Sequence, residues 1–277
     1  MRIALCNEVL VPMPFVEQCR YARALGYDGL EVAPYTLVDD PASLSDAQCA
    51  EFRRIAAGEG ISIDGLHWLL VKPEGMSITS ADNAVRERTA AFMRRMAEAC
   101  ALLGGSYLVH GSPGQRAVPK GESKATALAR AKDCWARAGE AAGRAGVVYC
   151  IEPLSREQTP LVNSVAEAAA IVDELALPGL RTMLDTCAAG IDGDGPLPEL
   201  IERRVASGHL WHVQLNDRNR MGPGQGEDRF APVLAALLRA RYKGVVAIEP
   251  FKYHPDGPGA AARAIGYVRG VLEALAT

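Results

Sequence analysis

The 277-residue sequence offers little support for a fold held together by cysteines. Its seven Cys residues are sparse and odd in number, and no two of them are spaced as Cys-x-x-Cys. A small disulfide-rich domain, a zinc ribbon and a dithiol redox motif are therefore excluded. This cysteine usage indicates a reducing environment, so we expect a cytoplasmic protein.

A strong charge of one sign is also lacking. The chain has 30 Lys and Arg against 33 Asp and Glu, which gives a formal net charge of −3 at pH 7. This balance argues against a polycationic nucleic-acid-binding protein. No apolar run approaches the length of a membrane span, about 20 residues, and Glu8 comes too early for a secretory signal. We expect no nucleic-acid partner and no membrane partner.

What the chain does contain is a repeated alternation of short, β-rich apolar runs with longer Ala-, Arg- and Glu-rich amphipathic runs. The eight strand candidates are Arg2 to Asn7, Gly29 to Val32, Ile61 to His67, Ser106 to His110, Val147 to Glu152, Arg181 to Asp185, Leu210 to Leu215 and Val245 to Glu249.

Recognisable helix ends lie between these runs. Ser45 with Gln48 and Ser164 with Glu167 have the spacing of a capping box. The glycines expected to end helices are Gly26, Gly104, Gly146 and Gly208. An apolar stripe with a period near 3.6 runs through Val85, Phe92, Met96, Cys100 and Leu103.

Strands that alternate with helices indicate parallel βαβ units. Eight such units in about 250 residues favour a closed (β/α)8 barrel, the TIM barrel, over an open sheet. The runner-up is a doubly wound sheet, but the Gly-x-Gly-x-x-Gly fingerprint is missing after the first strand. The sequence thus predicts a single TIM-barrel domain over residues 1–277.

Four of the last strand candidates carry an acid or an imidazole at or near their ends. These residues are Glu152, Asp185, His212 and Glu249, each about one βα repeat from the next. In a closed barrel the carboxyl ends of the strands meet at one mouth, and alternate residues face inward. We therefore expect the four side chains to converge there, above a mostly apolar interior.

A buried acid above an apolar interior is costly unless it is neutralised or binds a cation. Three carboxylates and one imidazole suit a divalent ion such as Mn²⁺, Mg²⁺ or Co²⁺, and Zn²⁺ less well. The structural alternative is that each residue is an ordinary strand end bound to neighbouring backbone or to Lys and Arg. The occurrence of all four at successive strand ends favours the metal.

At these residues the chain resembles a known family. The two Glu-Pro pairs at Glu152 and Glu249, the Leu-Asp-Thr at Asp185, and the His212 strand followed by Arg218 are similar to the sugar phosphate isomerase/epimerase superfamily with xylose isomerase-like barrels. Within this superfamily, the chain resembles most the ketose 3-epimerases of the D-tagatose 3-epimerase type. The resemblance extends over nearly the whole chain.

The resemblance implies one divalent ion, Mn²⁺ by preference, held by Glu152, Asp185, His212 and Glu249. It also implies that the two glutamates act as acid and base, that Arg218 binds substrate, and that the barrels form homodimers or homotetramers. Two positions depart from the epimerase pattern. Gln158 stands where those enzymes have a substrate-binding Glu, and Ala188 where they have a His, so we expect a different bound sugar or polyol.

The chemistry can also be argued from the residues. A metal that chelates a carbonyl and an adjacent hydroxyl stabilises the enediolate formed when a neighbouring C–H loses its proton. Glu152 and Glu249 could then remove the proton from one face and return it to the other, or pass it to the next carbon. The sequence predicts a metal-dependent sugar isomerase or epimerase.

Other functions remain open. A lyase or dehydratase would expel a β-hydroxyl from a sugar-like or cyclic polyol substrate at the same site, and the product would then lose the mass of water. A phosphodiesterase of the endonuclease IV type would need more ligands than five scattered His allow. A non-catalytic binding barrel would bind its ligand without exchanging deuterium from D₂O.

Besides Arg218 and Gln158, three residues at or beside the ends of the third and fourth strands are substrate-binding candidates. His67 and His110 could bind substrate hydroxyls or orient the ligand carboxylates, and Trp68 could line the pocket. Each could instead be an ordinary strand-end or packing residue. Glu8 is more typical of a solvated side chain, and His209 has the opposite strand parity to His212, so it should not share the metal.

Overall fold

The computed structural model describes residues 1–192 and 195–276, and it confirms all eight strand candidates to within one residue at each end. The strands are β1 Arg2–Cys6, β2 Gly29–Val32, β3 Ser62–Leu66, β4 Tyr107–His110, β5 Val148–Ile151, β6 Leu180–Asp185, β7 Leu210–Leu215 and β8 Val245–Ile248.

The sheet closes on itself as a barrel. Its strands follow one another in chain order, and β1 pairs in parallel with both β2 and β8, with Ala4 opposite Gly29 on one side and Ala247 on the other. A doubly wound sheet would have two open edges. The TIM-barrel prediction is therefore confirmed and the runner-up is excluded.

Nine α-helices within the described ranges connect or follow the strands. They are α1 Phe15–Leu25, α2 Asp46–Gly58, α3 Asn83–Leu103, α4 Lys124–Ala145, α5 Val165–Leu175, α6 Thr186–Asp192, α7 Leu197–Ala206, α8 Ala231–Arg239 and α9 Gly257–Leu275. None of the helices described is both long and apolar enough to cross a membrane.

The predicted helix ends are mostly confirmed. The reciprocal capping box of Ser45 and Gln48 is present at the start of α2. At α5 only half of the box forms, because the Glu167 carboxylate accepts a hydrogen bond from the Asn163 amide rather than from the amide of Ser164. The helix-ending glycines Gly26, Gly104 and Gly146 all adopt the left-handed conformation.

The stripe predicted along α3 packs against the core. Phe92, Met96, Cys100 and Leu103 are buried, and Val85 is half-buried. Helices packed in this way around the barrel leave the carboxyl ends of the strands as the face on which long βα loops gather. The functional site is therefore to be sought at that face.

Candidate active site

Three buried carboxylates lie where strands β5, β6 and β8 end. Asp185 is the last residue of β6, and Glu152 and Glu249 directly follow β5 and β8. Each carboxylate has less than a tenth of its surface exposed. The Glu-Pro and Leu-Asp-Thr motifs thus place their acids inside the mouth of the barrel.

The three acids share one electrostatic environment. Burial raises the pKa of Glu152 well above its usual value, and the charges of Glu249 and Asp185 raise it further. Burial likewise raises the pKa of Asp185 to about 6 and that of Glu249 to about 8. Clustered acids with raised pKa values are typical of functional sites, and a cation would relieve their repulsion.

Hydrogen bonds orient Asp185 and connect the ends of three strands. The Ala188 amide donates to Asp185 Oδ1 at 2.7 Å, and Asn216 Nδ2 donates to Oδ2 at 2.7 Å. Asn216 Nδ2 also donates to the Glu249 carbonyl at 3.2 Å. Asn216, which the sequence analysis missed, thereby connects β6 and β8 through the segment that follows β7.

Glu152 is bordered by a glycine and by a buried cation. A Cβ atom at Gly111 would lie 2.2 Å from Glu152 Oε2, so any larger residue would force this carboxylate to shift. The fully buried Arg116 donates from Nη2 to the Glu152 carbonyl at 2.8 Å. Its charge offsets part of the rise in the pKa of Glu152 that burial causes. No motif around Arg116 signals this position.

His67 lies between two acids. Its Nδ1 is 3.1 Å from Glu249 Oε1, and its Nε2 is 2.9 Å from Glu8 Oε2. Burial opposes protonation of His67, but the charge of Glu8 and the hydrogen bond with Glu249 raise its pKa well above the usual value. His67 therefore orients a carboxylate, and Glu8 faces the site although its sequence context is typical of a solvated residue.

A group of possible metal ligands surrounds His67. Ligand atoms of Cys6, Glu8, His67 and Glu249 all lie within 4.8 Å of one another. Glu249 belongs to this group and also to the three acids at the strand ends. The acids of the barrel mouth thus extend from β5 round to the turn after β1.

His212, which the sequence analysis expects to converge with these carboxylates, lies deeper along its strand than Asp185 does. In the pairing of β6 with β7, His212 is opposite Met183, whereas Asp185 is opposite Gln214. The ring lies deeper in the barrel, stacked on Tyr107 at a centroid distance of 4.1 Å. Its Nε2 is 2.8 Å from Glu31 Oε2.

Glu31 and Gln214 are polar residues of this interior that the sequence analysis gave no role. Glu31 Oε2 accepts the Tyr107 hydroxyl at 2.6 Å, and Glu31 Oε1 accepts Gln214 Nε2 at 2.7 Å. Burial opposes ionisation of Glu31, but the charge and hydrogen bond of His212 lower its pKa to about 2. The alternation of inward- and outward-facing residues along β7 makes Gln214 an inward-facing position. No other feature of the sequence could have indicated a role for it.

A cleft of about 360 Å³ opens above the carboxylates. Its walls include Glu152 and Glu249 together with three substrate-binding candidates, His67, Trp68 and Gln158. Trp68 has a φ of 51°, which is unusual for a bulky residue, and its ring stands edge-on to Phe251 at 6.1 Å. Five of the sequence-predicted residues, Glu152, Glu249, His67, Trp68 and Gln158, thus line one opening.

His110 faces away from this cleft, contrary to its expected place at the mouth. Tyr107 points into the barrel, so His110, three residues on, points to the helix layer. There its Nδ1 accepts the Trp135 indole N–H at 3.1 Å and lies 3.0 Å from the Tyr149 hydroxyl. Burial, then the charge of Arg116, lowers the pKa of His110 to about 3.

The two remaining basic candidates lie on the surface. Arg218 is exposed, and its Nε donates to Asp228 Oδ1 at 2.7 Å. His209, which strand parity excludes from the metal, pairs with Asp173 at 2.8 Å on the outside of the barrel. A substrate-binding role for Arg218 would require its side chain to leave Asp228.

Comparison with known proteins gives the same fold. The family model of the xylose isomerase-like TIM barrel matches residues 19–271. The D-psicose 3-epimerase of Agrobacterium fabrum is 29% identical over 242 residues, which cover 86% of this chain and 78% of that protein. The 3-dehydro-D-guloside 4-epimerase of Escherichia coli is 24% identical over 266 residues, covering 90% and 92%.

A solved structure of D-psicose 3-epimerase in the presence of D-fructose matches with a TM-score of 0.83 at 23% identity, covering 98% of this chain and 99% of that one. At this identity the similarity concerns the fold. The matched family span runs from within α1 to within α9. The chain therefore belongs to the xylose isomerase-like TIM barrel family.

Proposed function

We propose that this protein is a divalent-metal-dependent sugar epimerase that acts on a ketose or a closely related keto sugar. The observation that carries the proposal is the group of three buried carboxylates at the ends of β5, β6 and β8, two of which, Glu152 and Glu249, line one cleft. The names of two relatives, a D-psicose 3-epimerase and a 3-dehydro-D-guloside 4-epimerase, support the same reaction class.

The residues present fit a divalent cation. Glu249 Oε2 is buried and accepts no hydrogen bond from the residues that the structure describes, so it is available as a ligand. Glu152, Asp185 and Glu249 would hold the ion, and their oxygens suit Mn²⁺ and Mg²⁺ better than Zn²⁺ or Co²⁺. When bound, the metal would polarise a sugar carbonyl and stabilise the negative charge that develops beside it.

In the proposed reaction Glu152 and Glu249 transfer protons to and from carbon. They follow β5 and β8, which lie three strands apart in the eight-stranded ring, so they face the cleft from different sides. Burial raises the pKa of both carboxylates, and a raised pKa favours the protonated form that a general acid needs. One can remove a proton from one face of a carbon while the other supplies a proton to the opposite face.

The cleft also presents groups that would orient a sugar. Gln158 Oε1 accepts hydrogen bonds from the Ser155 amide at 3.1 Å and hydroxyl at 3.0 Å. This contact turns the Gln158 NH₂ group, a donor of two hydrogen bonds, toward an acceptor oxygen of the substrate. The Trp68 ring supplies an apolar wall against which a sugar ring face could pack.

The proposal is tested by deuterium exchange. Protein reconstituted with Mn²⁺ is incubated with a panel of ketoses in D₂O, and carbon-bound deuterium is followed by NMR. We expect one carbon next to the carbonyl to gain deuterium and an epimer of unchanged carbon skeleton to accumulate. A product lighter by the mass of water would identify a dehydratase instead. If no sugar in the panel gained deuterium, the epimerase proposal would be contradicted.

Matched variants connect the exchange to the site. Glu152→Gln and Glu249→Gln should each slow exchange by roughly 10²- to 10⁴-fold, which is the usual contribution of a general acid or base. The same substitution at the exposed Glu140 on α4 should leave the rate unchanged. Equal rates in all three variants would remove the two glutamates from the mechanism.

A further inference from the structure

We propose that Gln214, rather than His212, supplies the fourth side-chain ligand of the metal, through its amide oxygen Oε1. This inference rests on the proposed function for the presence of a divalent ion at Glu152, Asp185 and Glu249. It concerns which residue of β7 completes the ligand set of this chain.

The register of the barrel places Gln214 level with Asp185. Gln214 is opposite Asp185 on one side and Ala247 on the other, and Ala247 is two residues before Glu249. Two residues of a strand span about 6.6 Å, so His212 lies roughly that much deeper along β7. A β-bulge between Thr182 and Met183 of the β6 pairing sets this register.

The Gln214 amide is held in one orientation. Its Nε2 donates a hydrogen bond to Glu31 Oε1 at 2.7 Å. Because an ionised carboxylate can only accept hydrogen bonds, the amide nitrogen and not the amide oxygen must face Glu31. Gln214 is completely buried. Its Oε1 has no hydrogen-bond donor in the part of the chain that the structure describes. A buried carbonyl oxygen without a donor is costly and is rarely left without a partner.

The same carboxylate lies close to the ligand group at the mouth. Glu31 Oε1 is 3.7 Å from His67 Nδ1, which is itself 3.1 Å from Glu249 Oε1. The Gln214 amide is therefore next to the residues that hold Glu249.

His212 is committed to a different contact. Its Nε2 faces Glu31 Oε2 at 2.8 Å, and its ring is stacked on Tyr107. Glu31 thus receives contacts from His212 and Tyr107 on one oxygen and from Gln214 on the other. In this arrangement His212 is a positioning residue, since it fixes the carboxylate that orients the Gln214 amide.

The consequence is a site built from oxygen ligands, three carboxylates and one amide carbonyl. Such a set favours Mn²⁺ and Mg²⁺, whereas a set that includes imidazole is better suited to Zn²⁺. The Gln214→His variant should therefore shift the preference of the protein toward Zn²⁺.

The test uses Mn²⁺ alone, without substrate. Mn²⁺ affinity is measured by calorimetry, and imidazole nitrogen bound to Mn²⁺ is detected by pulsed electron paramagnetic resonance. Gln214→Leu should lower Mn²⁺ affinity by roughly 10- to 100-fold. Gln214→His should introduce an imidazole signal. The imidazole nitrogen signal of His212→Asn should equal that of the unaltered protein. The surface substitution His209→Asn is the control for this comparison.

Removal of an imidazole signal by His212→Asn would overturn the inference, as would unchanged Mn²⁺ affinity in Gln214→Leu. If His212→Asn fails to fold, Gln214→His decides the question. A new imidazole signal in that variant would support the inference, and its absence would overturn it. Because none of these measurements requires turnover, a protein that binds Mn²⁺ through Gln214 but exchanges no sugar proton would contradict only the proposed function.

Discussion

Each of the three acids at the mouth of the barrel is held by a different kind of neighbour. Asp185 receives two hydrogen bonds, Glu249 contacts a histidine, and Glu152 lies against the backbone of Gly111. The first two acids are oriented by donors, whereas the third is oriented by the space that a missing side chain leaves. At the scale of single residues, the position of Glu152 is therefore the one most open to a steric test.

We expect Gly111→Ala to reduce activity without loss of stability. The added Cβ would lie 2.2 Å from Glu152 Oε2, so the flexible carboxylate must move by about an ångström, which can cost roughly 100-fold in rate. The measurement is kcat/KM for the exchanging ketose, together with the thermal midpoint. Gly114→Ala, in the same loop with open space around it, is the control. Undiminished kcat/KM in Gly111→Ala would show that Glu152 need not occupy its observed position.

At the scale of elements, α4 is attached to the barrel wall by Trp135. This side chain is fully buried, and its indole N–H donates to His110 on β4, while Tyr149 of β5 contacts the same ring nitrogen. His110 thus serves the packing of a helix on two strands. A polar residue at the end of a strand indicates a site residue only if its side chain faces into the barrel, and the side chain of His110 does not.

We expect Trp135→Ala to lower the free energy of unfolding by about 3–5 kcal/mol, the usual cost of truncating a buried aromatic residue. The control is the same substitution at Trp211, which is 42% exposed and should change stability by no more than about 0.5 kcal/mol. Urea denaturation followed by circular dichroism gives both values. Similar losses in the two variants would show that Trp135 does not anchor α4.

At the scale of the whole molecule, the proposed binding of a metal by the buried acids would add to the stability of the fold. Their raised pKa values show that each carboxylate is destabilised in its charged form by burial, and for Glu152 by its neighbours. A cation that binds the native protein but not the unfolded chain adds its binding free energy to the stability of the fold. The barrel should therefore be more stable with its ion than without it.

We expect Mn²⁺ at 100 times its Kd to stabilise the chelator-treated protein by about 2.7 kcal/mol. This corresponds to a rise in Tm on the order of 5 °C for a chain of this size. Differential scanning calorimetry with and without Mn²⁺ measures the rise. Asp185→Asn should reduce it strongly, whereas Asp133→Asn on the outer face of α4 should not. A Tm independent of Mn²⁺ would contradict metal binding by the native protein.

Much of the architecture follows from local patterns in the sequence. Apolar runs, capping residues and helix-ending glycines act over a few residues, so the eight strands and the alternation of strands with helices could be predicted, and with them the barrel. Because the carboxyl ends of all strands meet at one face, Glu152, Asp185 and Glu249 could also be placed there. Their convergence required only the order of the elements, not the details of packing.

The level and direction of individual side chains were decided only in the closed barrel. The bulge in the pairing of β6 with β7 brings Gln214, not His212, level with Asp185. The orientation of β4 turns His110 outward and Tyr107 inward. A shift of one residue reverses the face of every side chain on a strand, and register depends on contacts between segments far apart in the chain. Local sequence patterns carry no record of those contacts.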